Sequence, residues 1–152
     1  TGIGWAIEYL IQNKFMEGDS LVVCKQIDEM IMKTDPRRLN DLTLESGIEG
    51  LLHYILAHIQ GVQNQSGILP FDADYLKDVY SAVTKLDKKE INKRLRTLIN
   101  KYITFYRGKG LKYTMDIKPF LRKHKVNEKR LLDTPLNIKN GLSGILLNGM
   151  LN

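Results

Sequence analysis

The sequence predicts an all-α fold made of helical hairpins that repeat along the chain. The main evidence for the repeat is a helix start with two glycines. This start occurs at Gly47–Gly50 and again at Gly141–Gly144, with a partial copy around Gly2. Taking Gly2, Gly50 and Gly144 as equivalent gives a unit of about 47 residues, a length typical of stacked helical hairpins. Apolar residues also recur at spacings of three and four, and no segment shows the pattern of a strand.

The first hairpin is predicted from residues 2–13 and from a second helix that follows a turn at 17–19. Asp19 or Ser20 can cap the second helix. Pro36 ends it, because proline lacks the N–H group that a helix interior needs. The apolar residues of the first helix lie on one stripe, which comprises Ile3, Ile7, Leu10 and Ile11.

The third helix is predicted to open at Thr43 or Ser46 and to run to about Gln60. Its broad apolar stripe is typical of a buried inner helix. A polar loop then leads to Asp72, which can cap a fourth helix whose apolar residues are Leu76, Val79, Val83 and Leu86.

A fifth helix is predicted to start at Asp87, because Asp87 and Glu90 have the spacing of a capping box. The glycines in 107–110 end it. Two short helices are expected at 117–124 and 127–132, and a last helix follows the final glycine copy.

The composition is that of a globular chain of 152 residues, enough for one domain with a core. No apolar run reaches the length of a membrane span, so no membrane partner is expected. A single cysteine excludes an internal disulfide and favours a cytoplasmic protein. Segment 85–130 carries 16 Lys and Arg against 4 Asp and Glu. We interpret its charge as a solvated surface, and nucleic acid is not the expected partner, because no RNA- or DNA-binding motif accompanies it.

The glycine-bearing helix starts and the two segments around them resemble the lanthionine synthetase C-like family. These segments are Asp-Leu-Thr-Leu-Glu-Ser-Gly-Ile-Glu-Gly at 41–50 and Pro-Leu-Asn-Ile-Lys-Asn-Gly-Leu-Ser-Gly at 135–144. The resemblance implies an α/α toroid whose inner helices surround a cavity. Because Thr1 falls inside a glycine motif, residues 1–152 are expected to form one domain, the C-terminal portion of a longer toroid. Cavity-lining residues are then Trp5, Glu8, Gly50 and Gly144, and Trp5 aligns with His53 in the repeat.

The zinc motifs of that family, Trp-Cys-x-Gly and Cys-His-Gly, are both absent from this sequence. Cys24, the one cysteine, is flanked by apolar residues and is expected in the core. His58 is five residues from His53, which is not a zinc-ligand spacing. We therefore expect no metal and no cofactor in this chain.

Glu45, Glu49 and His53 form the best candidate catalytic set. Their spacing of four residues would place them on one face of the third helix. Two carboxylates with an imidazole can act as acid and base. The structural alternative is that the glutamates favour the positive end of the helix dipole and the histidine is simply hydrogen bonded.

Three functions are open at this point. One is the modification of peptides, or the binding of modified peptides, as the resemblance implies. The second is a carbohydrate-active toroid that uses Glu45 or Glu49 in the way of a glycosidase. The third is a non-catalytic interaction module with a peptide or protein partner. The open ends of a repeat array also lead us to expect either self-association or end helices that bend inward to cover the gap.

Overall fold

The computed structural model describes residues 1–87 and 89–116, and within them it is all-helical, with no strand. The all-α prediction is confirmed. Thr1–Thr114 form one compact unit. Among the described residues, no helix has both the length and the apolar character needed to cross a bilayer. The helices are α1 (Gly2–Gln12), α2 (Ser20–Met32), a 3-10 helix (Pro36–Arg38), α3 (Ile48–Gln65), α4 (Ala73–Lys85) and α5 (Lys93–Tyr106).

Helices adjacent in the chain pack as pairs at both ends, α1 with α2 and α4 with α5, and α3 lies between α1 and α5. The inner helices α1, α3 and α5 are neighbours in that order, α2 packs on α1 and α3, and α4 packs on α5 and the 3-10 helix. Helices α1 and α3 run parallel, since Gly4 packs against Tyr54 near the start of both helices and Glu8 contacts His58 one turn further along. The residues of each pair are 50 positions apart in the chain, close to the predicted repeat unit. Successive inner helices therefore lie in register, whereas closure into a toroid stays a prediction.

Two glycines let α1 and α3 approach closely. A Cβ on Gly4 of α1 would overlap the ring of Tyr54, and a Cβ on Gly61 of α3 would overlap the carboxylate of Glu8. In each helix, a glycine therefore packs against a large side chain of the other helix. The glycines and the side chains opposite them set the separation of the two helices.

The buried face of α1 coincides with the predicted apolar stripe at Ile11 but not at Ile3 or Leu10. Gly4, Glu8, Tyr9 and Ile11 are buried, whereas Ile3 is 75% exposed and Leu10 is 40% exposed. The helix is turned so that Gly4 and Glu8 face α3. Close packing at the glycine and the hydrogen bond of Glu8 to His58 explain this rotation, which apolar periodicity alone did not predict.

Several helix ends were predicted well and others were not. Asp19 caps α2 and accepts a hydrogen bond from the Leu21 N–H, as predicted. Helix α3 continues past Gln60 because Gly61 and Val62 are buried in the packed interior. The predicted start of α5 was wrong: Asp87 accepts from the Lys89 N–H in a local turn. Asn92 caps α5 instead.

The remaining predicted helices, at 117–124 and 127–132, lie outside the described residues. So does the last glycine copy, with Gly144. The third repeat unit is described only through α5.

Candidate functional site

The start of α3 is held against the loop that precedes it. A Cβ on Gly47 would overlap the carbonyl oxygen of Asp41, and a Cβ on Gly50 would overlap that of Leu44. The Asp41 carboxylate accepts hydrogen bonds from the Ser46 hydroxyl and the Thr43 N–H, which lower the pKa of Asp41. A side chain at either position would clash with this loop, so both positions have a direct steric reason to be glycine.

The three predicted catalytic residues do not share a helix face. Glu45 lies in the turn before α3, because the helix begins only at Ile48. Glu49 is buried in the first turn and forms an ion pair with Arg94 of α5. His53 lies one turn further along and contacts Tyr113. Only Glu45 leaves the predicted face, since Glu49 and His53 remain one turn apart on α3, and a catalytic role for the three residues stays a prediction.

His53 and Trp5 meet at the hydroxyl group of Tyr113. Trp5 Nε1–H donates to Tyr113 Oη at 3.0 Å, and the same oxygen lies 2.6 Å from His53 Nδ1. Burial and the charge of Arg94 lower the pKa of His53 to about 4, while burial raises the pKa of Tyr113 to about 12. At neutral pH the phenol therefore donates to a neutral imidazole. Trp5 and His53, which align in the repeat, are therefore both hydrogen bonded to Tyr113.

A second polar cluster is buried among α1, α2 and α3. His58 Nδ1 lies 2.6 Å from Glu8 Oε1, and His58 Nε2 lies 2.9 Å from Asp28 Oδ2. Burial opposes a charge on the imidazole, but the hydrogen bonds and charges of Asp28 and Glu8 outweigh it and raise the pKa of His58 to about 9. His58 is therefore an imidazolium at neutral pH, and it donates to a carboxylate on each side.

Other side chains complete this buried cluster. Tyr54 Oη donates to Asp28 Oδ1 at 2.6 Å, and Gln12 Nε2 donates to Glu8 Oε2 at 2.7 Å. Cys24 is fully buried beside them, as predicted for a core residue. Burial raises the pKa of the Cys24 thiol to about 11, so the thiol is protonated at neutral pH.

The sequence did not predict this cluster. We expected Glu8 to line a cavity and assigned no role to His58, but both side chains are fully buried in the interior. The signal was present in the repeat. Glu8 and His58 are 50 positions apart, about one unit, and residues one unit apart on parallel neighbouring helices are brought together.

A groove of about 430 Å³ lies between α5 and the segment that folds back along it. Lys101 Nζ donates to the carbonyl oxygen of Lys112 at 3.0 Å and ties the segment to the helix. From Ile91 to Met115 the chain has seven Lys and Arg and no Asp or Glu. Three of the described residues that line the groove are lysines and none is acidic, so this lining is positively charged; the lining comprises Thr97, Asn100, Lys101, Thr104, Lys109, Gly110, Leu111 and Lys112.

Comparisons with protein-family models, with curated proteins and with solved structures return no match. The likeness to lanthionine synthetase C-like proteins therefore rests on the repeat glycines and the segments around them. It remains a resemblance.

Proposed function

We propose that this chain is a peptide-binding helical-repeat module of the lanthionine synthetase C type, placed in the cytoplasm and forming part of an α/α toroid. In this proposal the module binds a peptide and does not carry out the zinc chemistry of that family. The observation that supports it best is the lysine-lined groove along α5. Its ligand would be an acidic peptide segment.

The groove offers both charge and hydrogen bonds to such a peptide. Thr97, Asn100, Lys101 and Thr104 recur at helical spacing and form one wall. Lys109 and Lys112 form the other wall and make no ion pair with any described residue. No described residue neutralises their charge, so it can attract carboxylates from solution.

An acidic peptide fits this groove better than a nucleic acid does. Proteins that bind single strands usually stack bases on exposed aromatic rings, and none of the described residues that line this groove is aromatic. Leu111 supplies an apolar contact for a side chain. The ring of Tyr113 lies beneath Lys101 and is buried.

The carbohydrate-active alternative has less support among the described residues. A glycosidase needs two carboxylates that face each other across a cleft. Glu49 is engaged by Arg94, and Glu45 lies in the turn outside the helix. This arrangement does not form the acid and base pair that the reaction requires.

The proposal is tested by fluorescence anisotropy with a labelled glutamate-rich peptide and a lysine-rich peptide of the same length. We expect the acidic peptide alone to bind, with an affinity that falls as salt screens the charges. Lys109→Glu with Lys112→Glu should weaken binding at least about tenfold. The matched control is Lys25→Glu with Lys77→Glu, which makes the same charge change at exposed positions on α2 and α4. Equal losses in both double variants, or tighter binding of a single-stranded oligonucleotide than of the acidic peptide, would overturn the proposal.

We also propose that the chain self-associates through the exposed apolar face of α1. Ile3 and Leu10 lie on this face, and Phe15 follows at the end of the helix with 65% of its surface exposed. On α3, the next inner helix, the side that faces α1 is covered. In this proposal, a second copy of the chain covers the exposed face of α1 that carries Ile3 and Leu10.

A further inference from the structure

The buried cluster contains the three side-chain types that most often bind zinc. Glu8, Cys24 and His58 come from α1, α2 and α3, and all three are fully buried. One ligand atom from each lies within 4.8 Å of the other two. We propose that these three residues bind a divalent metal ion of the Zn²⁺ type. The proposal runs against our expectation from the sequence, which considered only ligands in local motifs.

The distances suit such an ion after small movements of the ligand side chains. Thiolate, imidazole and carboxylate bind Zn²⁺ at about 2.0 to 2.3 Å, so tetrahedral ligand atoms lie roughly 3.3 to 3.6 Å apart. His58 Nδ1 and Glu8 Oε1, at 2.6 Å, now share a proton and would separate slightly to admit the ion. The thiol of Cys24 would move toward it.

The surrounding residues already have the arrangement found around bound metals. A histidine ligand usually donates its other ring N–H to a carboxylate, which fixes its tautomer and orientation. His58 Nε2 is held by Asp28, and Tyr54 holds the second oxygen of that carboxylate. Gln12 donates to the oxygen of Glu8 that does not face His58. His58 and Glu8 therefore need no new supporting contacts.

Charge also favours a cation at this place. Two carboxylates, Glu8 and Asp28, meet a single imidazolium, which leaves an excess negative charge inside the protein. Buried charge without compensation is costly. Binding of the ion would release two protons, one from His58 Nδ1 and one from the Cys24 thiol. The enclosed position indicates that the ion would hold the three helices together and would not meet a substrate.

Cobalt(II) provides a direct test, because a thiolate ligand gives it a charge-transfer absorption band. The whole chain, freed of metal with a chelator that is then removed, is titrated with Co²⁺. We expect the band to saturate at one equivalent, to vanish on addition of Zn²⁺, and to be absent in Cys24→Ser. His53→Gln is the matched control, since His53 lies outside the cluster, and it should keep the band.

Zinc should also raise the thermal midpoint of the wild-type chain and leave that of Cys24→Ser unchanged. If Cys24→Ser does not fold by circular dichroism, Glu8→Gln replaces it, and we expect at least a tenfold loss of Co²⁺ affinity in that variant. A folded wild-type chain without the band would overturn the proposal. So would a band of equal strength and affinity in the folded cluster variant.

Discussion

Glu8 of α1 and His58 of α3 are 50 positions apart in the chain, yet Glu8 Oε1 lies 2.6 Å from His58 Nδ1 in an interior closed to solvent. The two helices belong to successive repeat units. Asp28 of α2 accepts a hydrogen bond from the other ring nitrogen of His58. The imidazolium of α3 is therefore hydrogen bonded to side chains of both α1 and α2. The packing of these helices therefore depends on the protonation of one histidine.

We predict that the metal-free chain loses stability as the pH rises. The pKa of His58 is about 9 in the folded chain against 6.5 for an ordinary histidine, so its contribution is complete below pH 6.5 and is lost as the pH rises through about 9. The loss should be about 3 kcal/mol. Urea unfolding with a chelator present, at pH values across this window, measures it. His58→Gln serves as the reference, and the prediction fails if both chains show the same pH dependence.

We predict that Gly50→Val destabilises the fold by roughly 3 kcal/mol, because the new side chain would overlap the Leu44 carbonyl oxygen. Gly2→Val is a matched control. Gly2 is the equivalent position in the repeat, and a Cβ there would meet nothing within 4 Å. Thermal unfolding of both variants compares them. Similar midpoints for the two would show that the close contact at Gly50 does not limit stability.

We predict that His53 titrates with a midpoint near 4, well below an ordinary histidine at 6.5. Burial and Arg94 disfavour its charged form, so stability is unaffected above pH 6.5 and falls as the pH drops toward about 4. The resonances of the His53 ring, followed by NMR over this range, give the midpoint directly. His53→Gln identifies the resonances by their loss, and a midpoint close to 6.5 would contradict the buried contact with Tyr113.

We predict that Leu10→Glu reduces self-association of the chain, because it places a charge on the exposed apolar face of α1. Multi-angle light scattering over a range of concentrations measures the mass. Gln26→Glu, which adds the same charge at an exposed polar position on α2, should leave the mass unchanged. A wild-type chain that stays monomeric at every concentration would rule out this face as an association surface.

Features that depend on local sequence were predicted well. Asp19 caps its helix, the glycines at 108 and 110 lie beyond the end of α5, and the inner helix α3 carries a broad buried stripe. The repeat length also agrees with the separation of contacting residues in α1 and α3. Each of these follows from residues within a few turns, or from a period that is visible in one sequence.

Features that depend on contacts between distant residues were not predicted. The rotation of α1 follows from Gly4 and Glu8, whose partners on α3 are about one unit away in the chain. Glu45 was predicted to lie on the same helix face as Glu49 and His53. It lies outside α3, because the helix begins only after Gly47, which packs against Asp41. Apolar periodicity carries no information about such contacts, since it treats a buried glutamate as a surface residue.

The close approach of Gly61 to Glu8 has a consequence for how these positions can change during evolution. A Cβ at position 61 would occupy the space of the Glu8 carboxylate, so the two sites are not free to vary separately. Relatives with alanine at position 61 should carry a shorter side chain at position 8, and a histidine at position 58 would then lose a partner. Substitutions at these three positions are expected to appear together in a lineage.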